Sequence, residues 1–244
     1  MQADQAIFTS LDRRGKAGYH IVARSPGVSD GEAAALGRWC PSHDSLIFDE
    51  ANPISVNFHA LPGGRFALSR TCRGRPEYSG RGGWQTYTHV LVLEVETLRK
   101  SRFRPFRIYR DALALGYFHY KTEPTASLAK VSLLTYYPKR GAETKLAAAR
   151  ALGLPFFDSV VTQLTAGQSV VLPFEGDRIT LAESLLDQVE PEAIPDISFA
   201  TSLRPSSVRP YLLHVVGALP AETSRRDRGA TSGINPRVRA TPDL

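Results

Sequence analysis

The stretch ISVNFHALPGGRFALSRTCRGRPEYSGRGGWQTYTHVLVLEV, residues 54–95, decides the fold. Its first seven residues alternate, with Ile54, Val56, Phe58 and Ala60 on one face and Ser55, Asn57 and His59 on the other, which is strand periodicity. Leu61-Pro62-Gly63-Gly64 turns the chain, and residues 65–72 return as a second strand of a hairpin. A loop at 73–83, rich in Gly and Arg, leads into a third strand starting at Trp84. The centre of that strand, HVLVLEV, is apolar on both faces, as expected of a strand in the middle of a sheet.

Working outward, residues 5–11 and 19–24 read as strands on either side of the turn DRRGKAG. Ser29 and Glu32 are spaced as a capping box and open a helix that Pro41 stops. Residues 98–110 are basic and aromatic with weak periodicity, fitting a helix or an irregular crossover, and 121–124 reads as a linker. Beyond it, strands are expected at 130–137, 169–173, 197–203 and 211–216, and helices at 142–153, 156–164 and 179–189. The expected fold is therefore α+β: a mostly antiparallel N-terminal sheet with one capped helix over 1–124, then a smaller α/β piece over 125–220. A basic tail over 221–244 has too few apolar residues to pack and is expected to be disordered.

Charge is concentrated. Residues 65–111 hold eleven Arg and Lys against four acids, a net +7, whereas the whole chain carries +6. Such a surface attracts an anionic partner, whether phosphate, nucleic acid or an acidic protein face. Arg70, Arg73, Arg75 and Arg81, with Tyr78 and Trp84 among them, are the candidate binding residues, because the arginine fork suits phosphate. The competing reading is a solvated loop whose arginines pair with local acids such as Glu77. The segment SRFRPFRIYR at 101–110 has three readings: base stacking, a protein interface, or buried aromatics with arginines reaching outward.

Tyr87 and His89 share a strand face beside the Gly-rich loop and are the candidates for proton transfer; a hydrogen-bonded core histidine is the alternative. Cys40 and His43 form a C-x-x-H half site that His59 and Cys72 would have to complete for zinc, but only one pair is close in sequence. No P-loop, G-x-G-x-x-G, G-x-S-x-G or H-E-x-x-H pattern occurs, so no cofactor and no reaction is implied. No apolar run reaches membrane-spanning length and the first residues do not read as a secretory leader, so a cytoplasmic location is expected, with both thiols reduced.

The order QAIFTS (5–10), GYHIVARSPG (18–27), NFHALPGGRFALSRT (57–71) and EYSGRGGWQTYTHVLVL (77–93) resembles the amino-terminal domain of the bacterial GTPase-associated protein one family. ISFATSLRPSSVRPYLLHVV (197–216) resembles the start of that family's middle region. The resemblance is closest at Tyr78, Gly80, Arg81, Gly82, Tyr87 and HVLVL. It implies an adaptor or sensor beside a small GTPase and a membrane or effector component in multi-protein bacterial conflict systems, with no catalytic residues to carry over. Members are commonly longer than this chain. Three functions follow from these residues: a partner-protein adaptor, a nucleic-acid-binding module, or an enzyme acting on a phosphorylated or nucleotide-like substrate.

Overall fold

The computed structural model describes residues 1–11, 18–77, 83–134 and 152–217. The chain opens with strands β1 (Gln2–Ser10) and β2 (Tyr19–Arg24) and helix α1 (Asp30–Trp39). The Ser29–Glu32 capping box forms at the start of α1, each side chain meeting the other's backbone amide. Strand β3 (Ile54–Ala60), a 3-10 turn at Pro62–Gly64, β4 (Phe66–Pro76) and β5 (Trp84–Leu93) follow. Gly63 and Gly64 take φ of 80° and 78°, the left-handed region that this turn requires. The basic stretch after β5 becomes two short helices, α2 (Val95–Lys100) and α3 (Pro105–Ala114). Then come β6 (Val131–Ser132), α4 (Leu154–Thr165), β7 (Val170–Pro173), α5 (Arg178–Leu186), a 3-10 turn at Pro191–Asp196, β8 (Phe199–Thr201) and β9 (Leu213–Val216). The expected helix at 142–153 falls almost wholly outside the described residues, and the expected tail at 221–244 does so entirely.

Nine strands among the described residues form one sheet, ordered β2-β1-β5-β4-β3-β8-β9-β7, with β6 paired to the start of β1. All pairings from β2 through β8 are antiparallel; β8–β9 and β9–β7 are parallel. The architecture is α+β, with HVLVL central as its two-sided apolar pattern requires. Because β3 pairs with β8, the sheet takes strands from both sides of residue 124. The main core does the same: Phe58, Leu68, Leu91, Phe106, Leu164, Leu185, Phe199 and Val215 belong to one buried cluster.

The opposite face of the sheet is also covered. Leu36 and Ala35 of α1 pack on Ala6, Ala67, Val90 and Val92. Further along, the covered surface turns polar. Ser55, Asn57, Ser69, Thr71 and Thr88 are buried there and satisfy one another, as in Ser55 Oγ to Asn57 Oδ1 at 2.6 Å and Thr71 to Thr88 at 2.9 Å.

One boundary differs from the sequence reading. The residues expected to begin a loop at 73 continue β4 as far as Pro76, because Arg73 pairs with Thr86 and Pro76 with Trp84 across an irregularity in the register. Arg70, Arg73 and Arg75 are therefore strand residues held by β5. Gly74 and Pro76 made the segment look like a turn, and cross-strand pairing overrode that local signal.

Candidate functional site

Eleven cations in one segment make a surface only if they are left without partners, and five of them are not. Arg65 reaches into a buried network: its Nε donates to Glu32 Oε1 at 2.6 Å, Nη1 to Asp4 Oδ2 at 2.9 Å and Nη2 to the Gly27 carbonyl at 2.7 Å. Arg99 and Lys100 pair with Glu96. Arg104 donates to the Leu186 and Val189 carbonyls at the end of α5, with Asp187 at 3.6 Å. Arg110 pairs with Glu183. Phe106, Ile108 and Tyr109 of the same segment are buried. Residues 101–110 thus bury their aromatics, but Arg104 and Arg110 are held by α5 and Glu183 instead of reaching outward, and base stacking has no exposed rings there except at Phe103, which is itself packed on the core.

Arg70, Arg73 and Arg75 behave differently. Among the described residues none of the three pairs with a carboxylate. Glu77, the acid closest in sequence, instead accepts from the Tyr19 hydroxyl at 2.8 Å. Strand β3 starts at Ile54, opposite Cys72, so beyond that point β4 has no described strand on its β3 side. An open cleft of about 390 Å³ lies at this place. Arg70 lines it, half-buried, with Nη1 donating to the Phe118 carbonyl at 3.1 Å and Nε without a partner. The Arg73 guanidinium stacks 3.6 Å above the ring of Phe48. Phe48, Leu113 and Tyr120 stand on the rim, 37%, 46% and 38% exposed.

The sequence profile described as GTPase-associated protein 1, N-terminal domain type 2 matches residues 2–132. The chain belongs to this family. No curated protein and no solved structure matches it. Every residue lining the cleft lies inside the GTPase-associated domain, whereas β7, β8 and β9 extend its sheet from beyond the matched region.

The other candidate residues of the GTPase-associated domain spread out from this cleft. Arg75 is exposed, and Trp84 is 50% exposed at the start of β5, opposite Pro76. Tyr78 and Arg81 fall outside the described residues. Tyr87 and His89 are buried behind the cleft wall, Tyr87 against Tyr120 and His89 against Phe118, and neither lines the cleft. Gln5 Nε2 donates to the Ala129 carbonyl, so its Oε1 faces His89 and accepts from His89 Nε2 at 2.8 Å. Burial, reinforced by the charges of Lys121 and Arg70, pushes His89 down to about 3. Burial also pushes Tyr87 up to about 12. Both side chains thus stand neutral behind the cleft wall, outside its lining.

The zinc set does not assemble. Cys40 packs with α1 on one face of the sheet and Cys72 lies on the other; both are free. His59 stacks on Trp39 at 4.3 Å, and His43 contacts Asp44. Among the described residues no three His, Cys, Asp or Glu are placed to hold a metal ion.

Two groupings escaped the sequence reading. The Asp4–Glu32–Arg65 network joins three elements, and its carboxylates are almost wholly buried. Arg209, buried beside Cys40, Tyr211 and His214, donates to Ser45 Oγ at 3.1 Å. The cleft itself was half visible: its arginines carry a charge signal, but Phe48, Leu113 and Tyr120 come from three separate segments with no shared motif.

Proposed function

We propose that this chain is a non-enzymatic adaptor or sensor that docks a partner protein, a GTPase, within a bacterial multi-protein system. The observation that carries the reading is the grouping of exposed Phe48, Leu113 and Tyr120 with Arg70 and Arg73 inside the GTPase-associated domain. Aromatic side chains and arginines are residue types enriched at protein interfaces, and here they share one cleft. Arg75 and Trp84 widen the face along β4 and β5.

The test is a tagged pull-down from the native cell, nuclease-treated and washed at low and high salt. A GTPase identified by mass spectrometry and retained in both washes is the expected result. Charge reversal at Arg73, Arg75 and Arg81 together should abolish that capture while leaving the circular dichroism spectrum unchanged. Capture undiminished by the reversal removes this face from the reading. Nucleic acid recovered only before nuclease treatment and at low salt replaces the adaptor with a nucleic-acid-binding module, since phosphate contacts are lost as salt rises.

A further inference from the structure

We propose that the Arg70 cleft receives the carboxylate of an Asp or Glu flanked by bulky apolar residues in a segment of the partner protein, with Arg70 as its anchor. The inference rests on the docking reading above and adds the chemistry of what docks.

Arg70 is the first argument. Arg65, Arg104, Arg110 and Arg178 also enter the interior, and each has a carboxylate. Arg70 has the Phe118 carbonyl and, among the described residues, no acid. Arg107 and Arg209 also have no acid among the described residues, but neither lines this cleft. A cation partly withdrawn from water without a counter-charge is unfavourable. At the wall of an open cleft, an incoming carboxylate relieves that cost and gains charge-assisted hydrogen bonds.

The lining is the second argument. Among the described residues no acidic side chain lines the cleft, so an arriving carboxylate meets no like charge from them. Arg73 stands at the mouth, stacked on Phe48 with the edge of its guanidinium still able to donate. Lys121 lies close enough to act with Arg70 on His89, behind the cleft wall.

The third argument separates a protein segment from a small anion. A small-molecule pocket closes around most of its ligand. Here Phe48, Leu113 and Tyr120 stay partly exposed on the rim, presenting apolar surface on either side of the arginines. A segment with one acid between apolar neighbours fills both kinds of surface at once.

The experiment is a titration of the full-length, ¹⁵N-labelled protein, followed by NMR. The probes are acetyl-Phe-Asp-Leu-amide, its Asn counterpart, and inorganic phosphate at matched ionic strength. The Arg70 side-chain signal is assigned by its loss in Arg70→Met. The Asp peptide should give saturable shifts in the millimolar range at Arg70 Nε–H and at the amides of Gly74, His119 and Tyr120. The Asn peptide should bind about tenfold more weakly or less. Arg70→Met should lose the difference between the two peptides while keeping a dispersed spectrum. Equal binding of both peptides, absence of saturable shifts, or phosphate saturating the same amides at lower concentration overturns the proposal. The peptide comparison uses the wild-type protein and so does not depend on how the variant folds. A GTPase captured at full level by Arg70→Met, but lost on reversal at Arg73, Arg75 and Arg81, leaves docking in place and ends the role assigned to this cleft.

Discussion

The two ends of β4 carry the same side chain in opposite circumstances. Just ahead of the strand, Arg65 is clasped by Glu32, Asp4 and the Gly27 carbonyl in the interior. Five residues on, Arg70 has a carbonyl and an open cleft, and Arg73 and Arg75 follow it with no acid paired to them among the described residues. Each of these arginines counts the same in a tally of charge. Only one end contributes to a surface. A positive segment is thus a statement about partners, and the partners of Arg65 lie inside the molecule.

The largest expected effect is at the paired end. Arg65→Met leaves Glu32 buried without its counter-ion and Asp4 with only Lys130 at 3.5 Å, and should cost about 3–5 kcal/mol, read as a shift of the urea midpoint. Next is Gly27→Ala. A Cβ there would lie 2.5 Å from both carboxylate oxygens of Asp4, so the network must move. A loss of about 1–3 kcal/mol is expected from this overpacking. A mild Gly27→Ala would mean that Asp4 is not held where the network requires.

The two ends should also answer acid in different windows. At the paired end, burial by itself would raise Glu32, but the hydrogen bonds from Arg65 and Ser29 outweigh it and hold the carboxyl below its ordinary 4.5. Its stabilisation is complete above that value and is lost as pH falls through the lower folded value. Behind the open end, His89 is held neutral by burial and lowered from 6.5 to about 3. The unfolded chain takes up that proton first, so stability begins to fall below 6.5, and His59 and His214, each lowered to about 4, act in the same direction. Urea midpoints measured against pH should show Glu32→Gln flattening the lower window and His89→Phe flattening the upper one. A single shared window would erase this distinction. The smallest effect on stability is expected for Arg75→Glu, within about 0.5 kcal/mol, because the side chain is exposed and unpaired.

What was legible in the sequence was local. Ser29 and Glu32 announce α1 because the capping box needs only three residues of separation. Ile54–Ala60 and HVLVL announce β3 and the central β5 because alternation and two-sided apolarity are properties of a single strand. What escaped depends on distant partners. Arg65 meets Asp4 61 residues away and Glu32 33 residues away, and nothing local marks either. Arg73–Pro76 looks like a loop until β5 pairs with it. The aromatics at 103–109 leave three readings open until α3 turns Phe106 and Tyr109 inward.

The most direct measurement is urea unfolding of Arg70→Met beside Arg65→Met and the wild type at neutral pH. For Arg70→Met the expected midpoint equals or exceeds that of the wild type, because an unpaired, partly buried cation gives way to an apolar chain of similar reach. An Arg70→Met midpoint lowered as far as that of Arg65→Met would contradict the division of β4 into a paired end and a docking end.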